Sequence, residues 1–171
     1  MHEWIPVSTS PKGRLALAAV TEFGLRPFDE VTVAELSAAA GVTTGALYHH
    51  FGSKLGLYAF VREDVEQRLL DRMEGALAAG QPDRSAAVTS ALLVGLDFAV
   101  RESFLRILGD PPAGTDHDRL ADMLGRTTAP VLGQVLAAAW RAALTAVAEG
   151  AEPEEARAAI AALMVQTPLS G

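Results

Sequence analysis

Residues 41–54, GVTTGALYHHFGSK, bring two threonines, a tyrosine, two adjacent histidines and a lysine into one stretch without an acid. Hydroxyl, phenol, imidazole and ammonium groups all donate hydrogen bonds, so together they suit a negatively charged, acceptor-rich surface. Metal binding by His49 and His50 fits poorly, because neighbours on a helix diverge by about 100° and the chain has no cysteine. Asp116, His117 and Asp118 form a second polar cluster. It reads either as metal or acid–base chemistry or, more simply, as a loop that caps a helix. Glu63, Asp64 and Glu66 read as the solvated face of a helix. There is no nucleophile elbow, phosphate-binding loop or dinucleotide fingerprint, so the sequence argues for no enzyme and no cofactor.

The elements that must position the acid-free stretch are helical. Ser10-Pro11 is a helix start, an N-cap followed by a first-turn proline, and the apolar spacing predicts a helix over 11–23 with Gly24 as its stop. Thr32 caps a second short helix, with Glu35 three residues on to close a capping box. Val33, Leu36 and Ala40 share a face, and Gly41 ends the segment. Thr43 or Thr44 caps a third helix carrying Leu47, Tyr48 and Phe51, and Gly52 ends it. From the cap at Ser53, the positions Leu57, Val61, Val65, Leu69 and Met73 step by four. That is a long amphipathic helix of about six turns, ending near Gly80-Gln81-Pro82. An apolar helix over 84–108 follows, with a break near Glu102-Ser103, and GDPPAGTD (109–116) is a loop. A short helix over 118–125, an Ala-rich one from Pro130 to Glu149 and a last one from Pro153 to Val165 complete the chain. No segment alternates as a strand, so the fold class is all-α.

Half of the 171 residues are hydrophobic, enough for a real core, and the formal net charge is −7. Residues 1–56 carry four cations against five acids, and the rest of the chain nets −6. A basic footprint is therefore missing, and any case for nucleic acid rests on local arrangement. No basic segment followed by an apolar run opens the chain. The apolar stretch Val131–Trp140 stops at Arg141, short of the roughly 20 residues needed to span a bilayer. A cytoplasmic protein with no membrane partner is expected.

Two short helices joined by a tight AAGVT turn, the second opening on small hydroxyl residues, form a helix-turn-helix. In that motif the second helix lies in the major groove and its first residues reach base edges. With Val42 and Leu47 facing Leu36 and Phe23, the residues left outward are Thr43, Thr44, Gly45, Tyr48 and His49. The threonines can bond bases or touch a thymine methyl, and Tyr48, His49 and His50 can donate to phosphates. Lys54 adds positive potential beside them.

The run from Lys12 to Leu57, above all TVAELSAAAGVTTGALYHHFGSK, resembles the DNA-binding domain of the tetracycline-repressor (TetR) family, matching the G-V-x-x-G-x-L-Y-x-H-F-x-S-K spacing throughout. The resemblance implies an all-α homodimer with a three-helix reading head, residues 1–56, and a helical effector-binding and dimerisation body, residues 57–171. It implies double-stranded DNA as partner, read as a palindromic operator. Carried over by position, Thr32, Thr44, Gly45, Tyr48, His49 and Lys54 contact DNA, joined by Thr43 and His50. Lys12 and Arg14 are the phosphate cations of the first helix. Members often have an acid directly after the S-K pair, where this chain has Leu55-Gly56; a looser first turn of the fourth helix is expected.

In the body, Phe98, Phe104, Leu108, Met123 and Trp140 either line a cavity for a small hydrophobic effector or fill a core. Glu102, Arg106 and His117 are the polar groups that would orient such a ligand. Val131, Val135, Ala139, Ala143 and Val147, with Ile160 and Met164 in the last helix, read as a four-helix-bundle dimer seam; burial within one subunit is the alternative. The expected function is a ligand-responsive, sequence-specific transcriptional regulator, a repressor released by its effector. The rival is a small-molecule-binding or adaptor protein that keeps the head without binding an operator.

Overall fold

Helices begin where a side chain can take up the free amides of a first turn. The structure, a computed structural model, describes residues 9–79, 83–111 and 117–165, and every element in them is helical. α1 (Pro11–Leu25) starts from Ser10, whose hydroxyl accepts from the Gly13 amide at 3.0 Å. It runs through Gly24, the expected stop, and ends at Arg26 (φ −129°, ψ 151°). The reason is Pro27, which forces the residue before it out of the helical region.

A 3₁₀ turn, Phe28–Glu30, leads to α2 (Val33–Ala39) and α3 (Thr44–Phe51), and α4 (Lys54–Ala79) follows. α5 (Arg84–Arg101) ends at Glu102-Ser103, where Ser103 takes a left-handed φ of 61° and turns the chain into α6 (Leu105–Gly109). The break expected there is observed. α7 (Arg119–Thr127), α8 (Pro130–Ala148) and α9 (Pro153–Val165) complete the order. The expected end of α4 at Gly80-Gln81-Pro82 and the 112–116 part of the loop, Asp116 included, lie outside the described residues.

The chain divides into two compact units, Met1–Glu66 and Gln67–Gly171, and the division falls inside α4. The first unit is built on Leu15, Ala19, Phe23, Leu36, Leu47 and Val61, all buried. Phe23, Phe28 and Tyr58 close it with ring centroids 5.0–5.7 Å apart. In the second unit Trp140 is buried and its indole N–H donates to the Leu92 carbonyl at 2.9 Å. α7 and α8 touch backbone to backbone at Gly133, where a Cβ would lie 2.4 Å from the Ala121 carbonyl oxygen.

Asp118 caps α7, its carboxylate accepting from Ala121 N at 3.1 Å. It also receives both Arg141 terminal nitrogens, at 2.5 and 2.8 Å. Burial alone would raise the Asp118 pKa, but the Arg141 and backbone hydrogen bonds outweigh it and hold the carboxyl below its ordinary value.

α8 does not stop at Arg141 as an apolar stretch. It continues to Ala148, and by length and composition alone it is long and apolar enough to cross a membrane, which corrects the length argument. One third of that span is buried in the fold, and the Arg141 guanidinium turns inward onto Asp118.

Candidate nucleic-acid interface

The turn between α2 and α3 is fixed by three backbone bonds. Ala40 N donates to Leu36 O at 3.0 Å, Gly41 N to Ala38 O at 3.0 Å and Val42 N to Ser37 O at 2.9 Å. The last two form a Schellman motif, which requires a left-handed residue at its centre; Gly41 supplies it at φ 63°. Val42 then delivers the chain to Thr43, whose hydroxyl caps α3 by accepting from Ala46 N at 3.3 Å.

The start of α2 is as tightly closed. The Thr32 hydroxyl accepts from Glu35 N at 3.2 Å, while the Thr32 amide and hydroxyl both donate to Glu35 Oε2, at 2.7 and 2.6 Å. Arg26 reaches the other carboxylate oxygen at 3.0 Å. The Arg26 guanidinium, followed by the two Thr32 donors, holds the Glu35 carboxyl at about 2, well below the usual carboxylate range.

Leu47 anchors α3 with its side chain fully buried, which leaves Thr43, Thr44, Gly45, Tyr48, His49 and His50 exposed on one continuous segment. Tyr48 is 54% exposed, unusual for so large an apolar body. The two imidazole rings lie edge to face, 5.0 Å between centroids. Gly45 has a property that its sequence position does not reveal. A Cβ placed there meets only Thr43 Oγ1, at an ordinary 3.7 Å, and the backbone is not left-handed. Nothing inside the unit requires glycine at a helix position where glycine costs up to about 1 kcal/mol against alanine.

The cations are placed differently from the neutral donors. Lys54 Nζ donates to the carbonyls of Phe28 and Val31, at 2.9 and 2.8 Å, and lies 4.1 Å from the centre of the Phe28 ring. Lys12 Nζ lies over the rings of Phe60 and Phe51, at 4.9 and 5.9 Å. Arg14 Nε donates to the Ala40 carbonyl at 3.0 Å, and its Nη1 to the Thr9 carbonyl at 3.2 Å. Thr32 is exposed, with its hydroxyl used in the cap. At the start of α4 the Gly56 amide donates to Ser53 Oγ at 2.9 Å, so the first turn is closed despite the missing acid.

The ligand candidates of the second unit are not gathered round one space. Phe98 and Phe104 are buried against each other, centroids 5.4 Å apart, with Arg68 over both rings. Leu108 and Trp140 are core residues. Arg106 donates to the Ala148 carbonyl at the end of α8 (3.0 Å), and Glu102 pairs with Arg101 (3.2 Å). His117 stands on the surface, 85% exposed and 2.9 Å from Asp122. Asp118, in the same cluster, is the helix cap described above. Met123 lines an open groove of about 280 Å³ with Leu77 and Ala78, beside the Glu74–Arg126 ion pair.

Of the seam candidates, Val131 and Val135 are 72% and 52% exposed, and Ala139, Ala143 and Val147 are half-buried. Ile160 and Met164 are buried within the subunit. The exposed residues of α9 are Glu154, Glu155, Ala158, Ala159 and Ala162. α9 is so rich in alanine that its apolar pattern does not say which side faces inward.

The described residues are all helical, with a capped helix-turn-helix and an exposed second helix, the architecture of a helix-turn-helix head. Residues 16–60 match the family model described as bacterial regulatory proteins, tetR family. It is 31% identical over 101 residues to the nucleoid occlusion factor SlmA of Shewanella woodyi, covering 58% of this chain and 51% of the relative. To the HTH-type transcriptional regulator BetI of Klebsiella pneumoniae it is 34% identical over 82 residues, 48% of this chain and 40% of the relative. The chain thus spans about half the length of the curated relatives it matches. In fold it is similar to a TetR-family transcriptional regulator from Pectobacterium atrosepticum, with a TM-score of 0.71 at 22% identity over 92% of this chain and 93% of that one.

Proposed function

We propose that the protein is a dimeric, cytoplasmic transcriptional regulator that reads a palindromic DNA operator with α3 and is released from it by a small hydrophobic effector. The observation that carries this reading is the exposed set Thr43, Thr44, Gly45, Tyr48, His49 and His50, with Gly45 kept small where the fold makes no demand for it. A glycine on a helix surface is explained by close approach of a partner, and the groove floor of DNA is such a partner. Around it Thr44 and Tyr48 offer hydroxyls to base edges and phosphates. The body contributes the second twofold half and the effector site, the Met123 groove being one open candidate. Repression and release follow if the effector prefers the state that does not bind DNA, since only differential affinity moves the equilibrium. α4 belongs to both units and is the element through which that preference would act.

The test begins with duplexes that the parent protein selects from a random-sequence pool. Replacing Thr44→Ala and Tyr48→Phe together removes two hydroxyls from the reading face, so affinity for the selected duplex falls by about tenfold or more. A double variant that binds as tightly as the parent refutes the assigned surface.

A further inference from the structure

α3 ends in two adjacent histidines, His49 and His50. Both are exposed and fall in the last turn of the helix, their rings edge to face with 5.0 Å between centroids. The His50 ring lies 6.4 Å from that of Phe51, and Lys12 Nζ stands 5.9 Å from the same Phe51 ring. α3 itself contains no acid. The charged side chains on the elements around it are Lys12, Arg14 and Glu22 of α1, Asp29 and Glu30 of the 3₁₀ turn, Glu35 of α2 and Lys54 at the start of α4. Arg62, Glu63, Asp64 and Glu66 follow further along α4. Glu22 and Glu35 are both paired with Arg26. Among the described residues the imidazole that meets a carboxylate is His117, against Asp122 in the second unit; neither His49 nor His50 does.

Histidine is the side chain whose charge ordinarily changes between about pH 5 and 8. A neutral imidazole offers a phosphate one N–H, whereas the imidazolium offers two and a full charge. Residues 1–56 hold four lysines and arginines against five acids, so charging His49 and His50 alone turns a local −1 into +1. That change falls on the acid-free segment 41–54. A phosphate close by favours the charged ring, so binding DNA draws protons from solution. By the reciprocity of linked binding, a lower pH then draws the protein onto DNA.

We propose that His49 and His50 together form a proton-sensitive contact with the DNA backbone, so that operator binding takes up protons and tightens as the pH falls from about 8 to about 6. The proposal rests on the DNA-reading function given above. It adds a second input to that function, one that acts at the head and needs no effector.

Affinity for the selected duplex is measured from about pH 8 to about pH 6 at fixed salt, for the parent and for a double variant, His49→Gln with His50→Gln. Ordinary carboxylates and ammonium groups keep their charge over that window, and glutamine keeps an N–H donor without the charge. The parent should bind about tenfold or more tightly at the acid end. Its salt dependence should steepen there by up to about two counterions per head. The double variant should lose most of both gains. It keeps His2 and His117, so a pH response of parental size in the variant belongs elsewhere and overturns the proposal.

Calorimetry gives an independent readout on the parent alone. Titrating the selected duplex in buffers of different ionisation enthalpy, midway through the same window, counts the protons taken up on binding. Net uptake is expected. A count of zero in the parent, or one unchanged in the double variant, overturns the proposal and leaves the reading surface standing. If the parent selects no duplex at either end of the window, the DNA-reading function itself fails and the proposal falls with it.

Discussion

Glu35 is used twice, once to close the capping box on Thr32 and once to pair with Arg26. Its carboxyl is held at about 2 against an ordinary value of 4.5. A depressed acid contributes stability that is complete above its unfolded value and is lost as the pH falls through the folded one. The loss therefore falls between about pH 4.5 and about pH 2. Glu35→Gln removes the charge, so the parent's unfolding temperature should drop more steeply than the variant's across that window, with the two curves converging at its acid end. Parallel curves would show that the carboxylate contributes nothing as an ion. The box itself was readable from Thr32 and Glu35 three residues apart. Arg26 was not, because an arginine before a proline gives no sign of the acid nine residues on that it will meet.

At the scale of elements, α8 has two unlike faces. Gly133, Leu136, Ala137, Trp140 and Leu144 are buried. Val131, Val135, Ala138, Ala142 and Ala146 are exposed at steps of three and four. An exposed apolar stripe of that length is the feature that supports the dimer. Because Val131 and Val135 are solvent-exposed in the single chain, Val131→Asp with Val135→Asp leaves the subunit folded and opposes like charges across a twofold seam. Light scattering at micromolar concentration should give twice 17.9 kDa for the parent and 17.9 kDa for the double variant. A parent of 17.9 kDa, or a variant that keeps the doubled mass, contradicts the seam.

Across the whole molecule, what the sequence announced was local. Ser10 and Thr32 marked helix starts, the third start was narrowed to Thr43 or Thr44, the step of four from Leu57 to Met73 marked the inner face of α4, and the Gly41 turn marked the motif. What it did not announce were contacts between distant residues. Lys12, Arg14 and Lys54 read as surface cations because charge normally stays in water, and only the folded chain brings aromatic rings and free carbonyls to them. In the same way, nothing near Arg141 points to Asp118 across the intervening loop and helix.

On the proposed function, a chain with a net charge of −7 depends on a sterically open α3 to approach DNA. Gly45 is where that requirement is sharpest, and Gly45→Ala tests it with two opposing readouts. Alanine has room inside the unit and is the better helix former, so the unfolding temperature should rise, by up to about 1 kcal/mol in stability. Affinity for the selected duplex should fall by about tenfold or more as the added methyl holds the helix off the groove floor. A variant that is more stable and binds the duplex undiminished would contradict the claim that α3 reads DNA through this face.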